Sequence, residues 1–128
     1  MPRTEEDVEQ FLIRLDRTFD HDDGMFVVSS GVDSPPIAIR VDDPIVVLRV
    51  AIGKVPDDQA SQNDVFRRML ELNSSDLVHA SYGLDGGDIV LTAGLPLENL
   101  DANELAAVLS DIDVALVSHI GELRKLAG

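Results

Sequence analysis

With 128 residues, 45% of them hydrophobic and 27% charged, the chain has the size and composition of one globular domain and not of a disordered segment. Its formal net charge of −14 excludes a surface built to bind nucleic acid or anionic membrane, and no basic stripe interleaved with aromatics exists. Cysteine is absent, which excludes disulfides, thiolate metal sites and cysteine nucleophiles and suits a reducing compartment. With four Phe, one Tyr and no Trp, aliphatic side chains must carry the core. The segment MPRTEEDVEQ has no apolar stretch and is not expected to be a signal peptide. No apolar run approaches the roughly 20 residues of a membrane span. A soluble, cytoplasmic protein is expected.

The first helix is predicted over 5–19. Val8, Phe11, Leu12, Leu15 and Phe19 recur at three- and four-residue spacing, with Glu5, Glu6, Glu9, Gln10 and Arg14 on the other face. Thr4 and Asp7 have the spacing of a capping box. DHDDG, 20–24, reads as the turn that stops this helix. Strands are predicted at 25–30, over PPIAIRV at 35–41 and over PIVVLRVAI at 44–52, the last two joined as a hairpin by VDDPI. Along 44–52, Val46, Leu48, Val50 and Ile52 form one face, while Ile45, Val47 and Ala51 leave only Arg49 polar on the other. Such a strand is expected to be covered on both sides, as a central strand or beneath an interface.

A loop, KVPDDQASQND, leads into a second helix at about 62–73, with Ser61 and Asp64 as its capping pair. Two further strands, 77–82 and 88–94, flank GLDGGD, whose Gly and Asp residues suit a tight hairpin. The last helix starts after Asp101, with Glu104 completing a cap. It carries the stripe Leu105, Leu109, Ile112, Leu116, Ile120, Leu123 and Leu126, and Arg124 and Lys125 where the helix dipole favours cations. Gly121 should weaken it locally by about 1 kcal/mol relative to alanine. The predicted fold is α+β, a single domain over 1–128 in the order α-β-β-β-α-β-β-α, with helices packed on an antiparallel sheet.

Catalytic and ligand-binding patterns are not found. His21, His79 and His119 lie on different elements without metal-ligand spacing, and His119 falls on the apolar stripe as a core histidine. Aligning Gly24 with the glycine of a calcium loop leaves two of three ligand positions wrong. No G-x-S-x-G elbow occurs, Asp42, Asp43, Asp57 and Asp58 sit in turns, and Gly83, Gly86 and Gly87 lead into a strand rather than a helix N-terminus. The sequence therefore predicts no catalytic residue, no metal and no cofactor, and an enzyme of unknown type is the least supported reading. LPLENLD, 95–101, reads as a joint. Pro96 fits a strand end, and Leu100 is placed to fold back on Leu105 as a hydrophobic staple.

The stretch YGLDGGDIVLTAGLPLENLDANEL, 82–105, combines a GLD hairpin, a strand, an LPL-x-x-L joint, an acidic cap and a long helix. With the preceding element order, it resembles the CesT-like type III secretion chaperone superfamily and its YbjN-type relatives. The resemblance implies a small acidic homodimer without catalytic activity that holds an extended, partially unfolded segment of a partner protein. YbjN-type domains imply instead a regulatory role on a folded partner. Phe66 and Leu70 lie on a different side of the second helix from Val65 and Met69. That second side is either buried within one subunit or turned towards a second copy. The resemblance places the interface on this middle helix and the neighbouring strands, which implies Phe66, Leu70, Val47 and Arg49.

Overall fold

The computed structural model describes residues 4–31 and 33–127. Helix α1 spans Glu5–Arg14, followed by strands β1 (Phe19–Asp22), β2 (Met25–Val28), β3 (Ile37–Asp42) and β4 (Ile45–Lys54). Helix α2 (Gln59–Ser75), strands β5 (Ser81–Asp85) and β6 (Asp88–Pro96), and helix α3 (Ala102–Ala127) complete the order. The six strands form one antiparallel sheet in the order β1-β2-β3-β4-β6-β5. The α+β class and the single antiparallel sheet stand as expected, with one strand more than the sequence indicated.

That strand is β1, and it replaces the end of the predicted first helix. The helix stops at Arg14, because Asp16 takes a left-handed conformation (φ 61°). Arg17 N–H then donates to Leu12 C=O and Asp16 N–H to Ile13 C=O, the paired bonds of a Schellman end. Phe19 continues the helical spacing numerically, yet it sits in β1 and packs edge-on against Phe26 at 5.7 Å. DHDDG is thus mostly strand, and only Asp23 and Gly24 make the turn.

Other boundaries shift for identifiable reasons. Thr4 and Asp7 form a reciprocal capping box, but α2 is capped by Asp58, whose carboxylate accepts Ser61 N–H at 2.9 Å, so the expected Ser61–Asp64 pair is not the cap. The strand expected at 77–82 starts only at Ser81. The N–H groups of Val78, His79 and Ala80 all donate to Asp111 Oδ2 instead of to a ladder. Asp101 accepts Glu104 N–H at 2.8 Å as expected, Pro96 ends β6, and α3 runs through Gly121 unbroken.

The core lies on one face of the sheet. Phe26, Val28, Ile37, Ile39, Val46, Leu48, Val50, Ile89 and Leu91 meet Val8, Phe11 and Leu12 of α1, Val65, Met69 and Leu72 of α2, and the stripe of α3 in a single apolar cluster. Period-two alternation along each strand puts these residues inward, and no helix of the described residues packs on the opposite face. The β4–β6 register shifts between Ala51 and Gly53; Ile52 between them is buried, and its carbonyl accepts Arg124 Nε–H at 3.0 Å.

Candidate protein-interaction surface

Two open apolar surfaces stand out among the described residues. The first is the outer face of the sheet, where Ala38, Ile45, Val47, Ala51, Val90 and Gly94 share one side with Arg40 and Arg49. Strand β4 is central, as expected, but its second side is uncovered: Ile45 is 44% exposed, Val47 is half-buried and Ala51 exposed. Val90 is the exception at 4% exposure. Arg49 on β4 and Asp85 on β5 form an ion pair across the intervening β6, and the register places Val90 beneath it. Arg49 thus covers an aliphatic neighbour on this face.

The second surface is the outer side of α2. Val65, Met69 and Leu72 face the core, Phe66 is half-buried and packs against its rim, and Leu70 is 69% exposed. Phe66 and Leu70 line a shallow open depression with Asn63, Arg67, Glu71 and Ser74. The split of α2 into two sides is therefore real. Of the four residues picked from sequence, Phe66 and Leu70 fall in this patch and Val47 and Arg49 in the other, and nothing within one chain brings the pairs together.

Helix α2 is held firmly. Arg68 Nε bonds Glu122 of α3 at 2.9 Å, and the Asn73 side chain accepts Tyr82 N–H at 2.7 Å and donates to Tyr82 C=O at 3.1 Å. Asn73 thereby takes the place of a neighbouring strand at Tyr82, the start of the β5 edge. Among the described residues, none covers the opposite edge, β1, in this way. Ser29 N–H donates to Thr18 C=O, a phase that turns the backbone groups of Phe19 and His21 away from β2. This free edge is acidic, with Asp20 and Asp22 exposed beside it.

Polar side chains elsewhere are structural. His119 is 4% exposed, with Nδ1 2.9 Å from the Tyr82 hydroxyl and Nε2 2.9 Å from Asp76 Oδ2. The His119 bond, then that of Ser75, holds the Asp76 carboxyl below the usual carboxylate range, and burial pushes the Tyr82 phenol up. Asp113 of α3 accepts from Arg17 and from Ser30, tying down the loops on either side of the β1–β2 hairpin. Sequence reasoning missed Asn73, which caps a strand across a loop, and the Asp111 and Asp113 anchors, whose partners lie distant in the chain. It also left Val114 and Val117 unremarked. They are exposed aliphatics of α3, and their place off the apolar stripe was the available signal.

A CesT_Tir_1 family model matches residues 1–128. The chain belongs to the CesT_Tir_1 family. No curated protein matches it by sequence, whereas solved structures share its fold. The heterodimeric ExoU–SpcU complex from the type III secretion system of Pseudomonas aeruginosa matches at TM-score 0.69 and 18% identity, over 94% of this chain and 97% of that one. YbjN, a putative transcription regulator from E. coli, matches at 0.65 and 12%, over 91% and 87%. The Yersinia pestis type III secretion chaperone SycH, bound to a fragment of YscM2, matches at 0.56 and 19%, over 88% and 98%. In family and fold this CesT_Tir_1 member is type III chaperone-like and YbjN-like, and no helix among its described residues is long and apolar enough to cross a membrane.

Proposed function

We propose that the protein is a non-catalytic binding module that works as a cytoplasmic homodimer and holds a partially unfolded segment of a partner protein. The observation that carries the reading is the asymmetry of the sheet edges. Asn73 occupies the outward groups of Tyr82 on β5, while no described residue bonds the outward donors and acceptors of β1, which are placed for an added strand. Acidic Asp20 and Asp22 beside that edge, on a chain of net charge −14, favour a basic segment. The dimer in this reading joins the two open apolar surfaces, with Phe66 and Leu70 of one copy on the Val47 and Arg49 face of the other. A two-fold axis repeats each such contact, so two unlike patches on one chain suffice.

The fold shared with YbjN favours a second reading, a regulatory domain that binds a folded partner. One experiment separates the two. The protein is used to capture partners from its own cell lysate, and the complex is subjected to limited proteolysis with mass spectrometry. The chaperone-like reading expects a partner with one protected segment inside an otherwise protease-sensitive region. Capture of a compact, protease-resistant domain would overturn it in favour of regulation. Loss of capture on substituting Phe19→Pro, which removes an edge N–H, is expected under the strand-addition mode alone.

A further inference from the structure

The side chain of His21, 24% exposed, points inward from β1 between two carboxylates one helical turn apart on α1. Its Nδ1 is 2.7 Å from Glu9 Oε2 and its Nε2 is 2.8 Å from Glu5 Oε2. Ionised carboxylates only accept hydrogen bonds, so both contacts are satisfied together only when both ring nitrogens carry protons. The ring also stacks on buried Phe26, with centroids 4.0 Å apart and planes 21° from parallel. Glu5 reaches further, to the hairpin turn, where its Oε1 lies 3.3 Å from the place a Cβ on Gly24 would occupy.

From this we infer that His21 is an imidazolium latch, fastening the first two turns of α1 to the β1–β2 hairpin and loosening when the ring loses its second proton as pH rises. The groups that face the ring are Glu5 and Glu9 from α1 and the Phe26 ring from β2. Asp20 and Asp22 alternate to the other side of β1, and Asp23 sits in the turn. A neutral imidazole keeps one N–H and presents a lone pair at its other nitrogen. One of the two carboxylates then faces a lone pair, and an attractive contact becomes a repulsive one.

The direction follows from the partners. Hydrogen bonding to Glu9 is the largest influence and raises the His21 pKa from its usual value; desolvation, next in size, opposes it, and the Glu5 hydrogen bond and the charges of both carboxylates add to the rise. A raised pKa in the folded state means that the latch contributes fully below the unfolded value of about 6.5 and is lost as pH rises through the folded value. No partner protein enters this inference, so it stands or falls apart from the function proposed above.

The test is a carbon-detected NMR titration of the His21 ring in wild type and Glu9→Gln, with hydrogen exchange of the α1 amides followed over the same pH range. The wild-type midpoint is expected above about 6.5, and Glu9→Gln should move it down. Protection of residues 5–14, corrected for intrinsic exchange, should step down across the wild-type midpoint and show no step in His21→Gln. A wild-type midpoint at or below the ordinary value would overturn the latch. So would a midpoint unmoved by Glu9→Gln, or the same step in His21→Gln.

Discussion

Nδ1 of His119 meets a hydroxyl and Nε2 a carboxylate, so the ring is satisfied in either protonation state. It is the one buried polar side chain among the described core residues, and the Tyr82 hydroxyl depends on it. His119→Leu should therefore cost about 2 kcal/mol, chiefly by orphaning that hydroxyl. Adding Tyr82→Phe removes the orphan, and the double variant should recover most of the loss. Urea denaturation in a double-mutant cycle reads the coupling; equal stability of the His119→Leu single and double variants would show that the hydroxyl was never dependent on the ring. Asp76 adds a pH signature. Its carboxyl is depressed in the folded protein, so its contribution is present above the unfolded value of about 3.9 and lost as pH falls through the folded one. The stripe made His119 legible as a core residue. Its partners were not, because they lie 37 and 43 positions away, beyond any periodicity.

Elements were legible where one period ran without competition. The α3 stripe and the 37–42 and 45–54 strands are of this kind. The first helix failed at its end because Leu15 and Phe19 extend the helical spacing by coincidence, while β1 holds two aspartates that strands disfavour. The true stop is Asp16, a non-glycine residue in the left-handed region with an acidic charge at the unfavourable end of the helix dipole. Asp16→Gly should stabilise the protein by about 1 kcal/mol, and Asp16→Val should destabilise it by a similar amount. Thermal or urea unfolding of the pair checks the sign; a destabilising glycine would mean that the Asp16 side chain does something the backbone account omits. The strand expected at 77–82, which became β5, failed differently. Its apolar pattern begins at Leu77, but the Asp111 carboxylate takes three successive N–H groups that a ladder would need.

For the whole molecule, the unresolved quantity in the sequence was what covers an apolar face. The pattern Ile45, Val47, Ala51 states that β4 has two apolar sides, and only the fold shows that helices occupy one of them. The same holds for Phe66 and Leu70, whose side of α2 is open to solvent in a single chain. A chain with two such patches and a closed core has a direct route to burying both, which is to place one on the other in a second copy. In the proposed dimer Phe66→Asp puts a charge in the middle of that contact and should leave the protein monomeric, with the folded state retained because Phe66 lies at the rim of the core and not inside it. Val47→Lys should do the same from the opposite patch. If Phe66 of one copy rests near Val47 of the other, the two substitutions combined set opposite charges across the two-fold and should restore part of the association that each alone removes. Light scattering at several concentrations gives the masses. A wild-type protein that stays at the mass of one chain at micromolar concentration sinks the dimer. A dimer that survives both single substitutions moves the interface elsewhere, with the exposed Val114 and Val117 of α3 as the next surface to substitute.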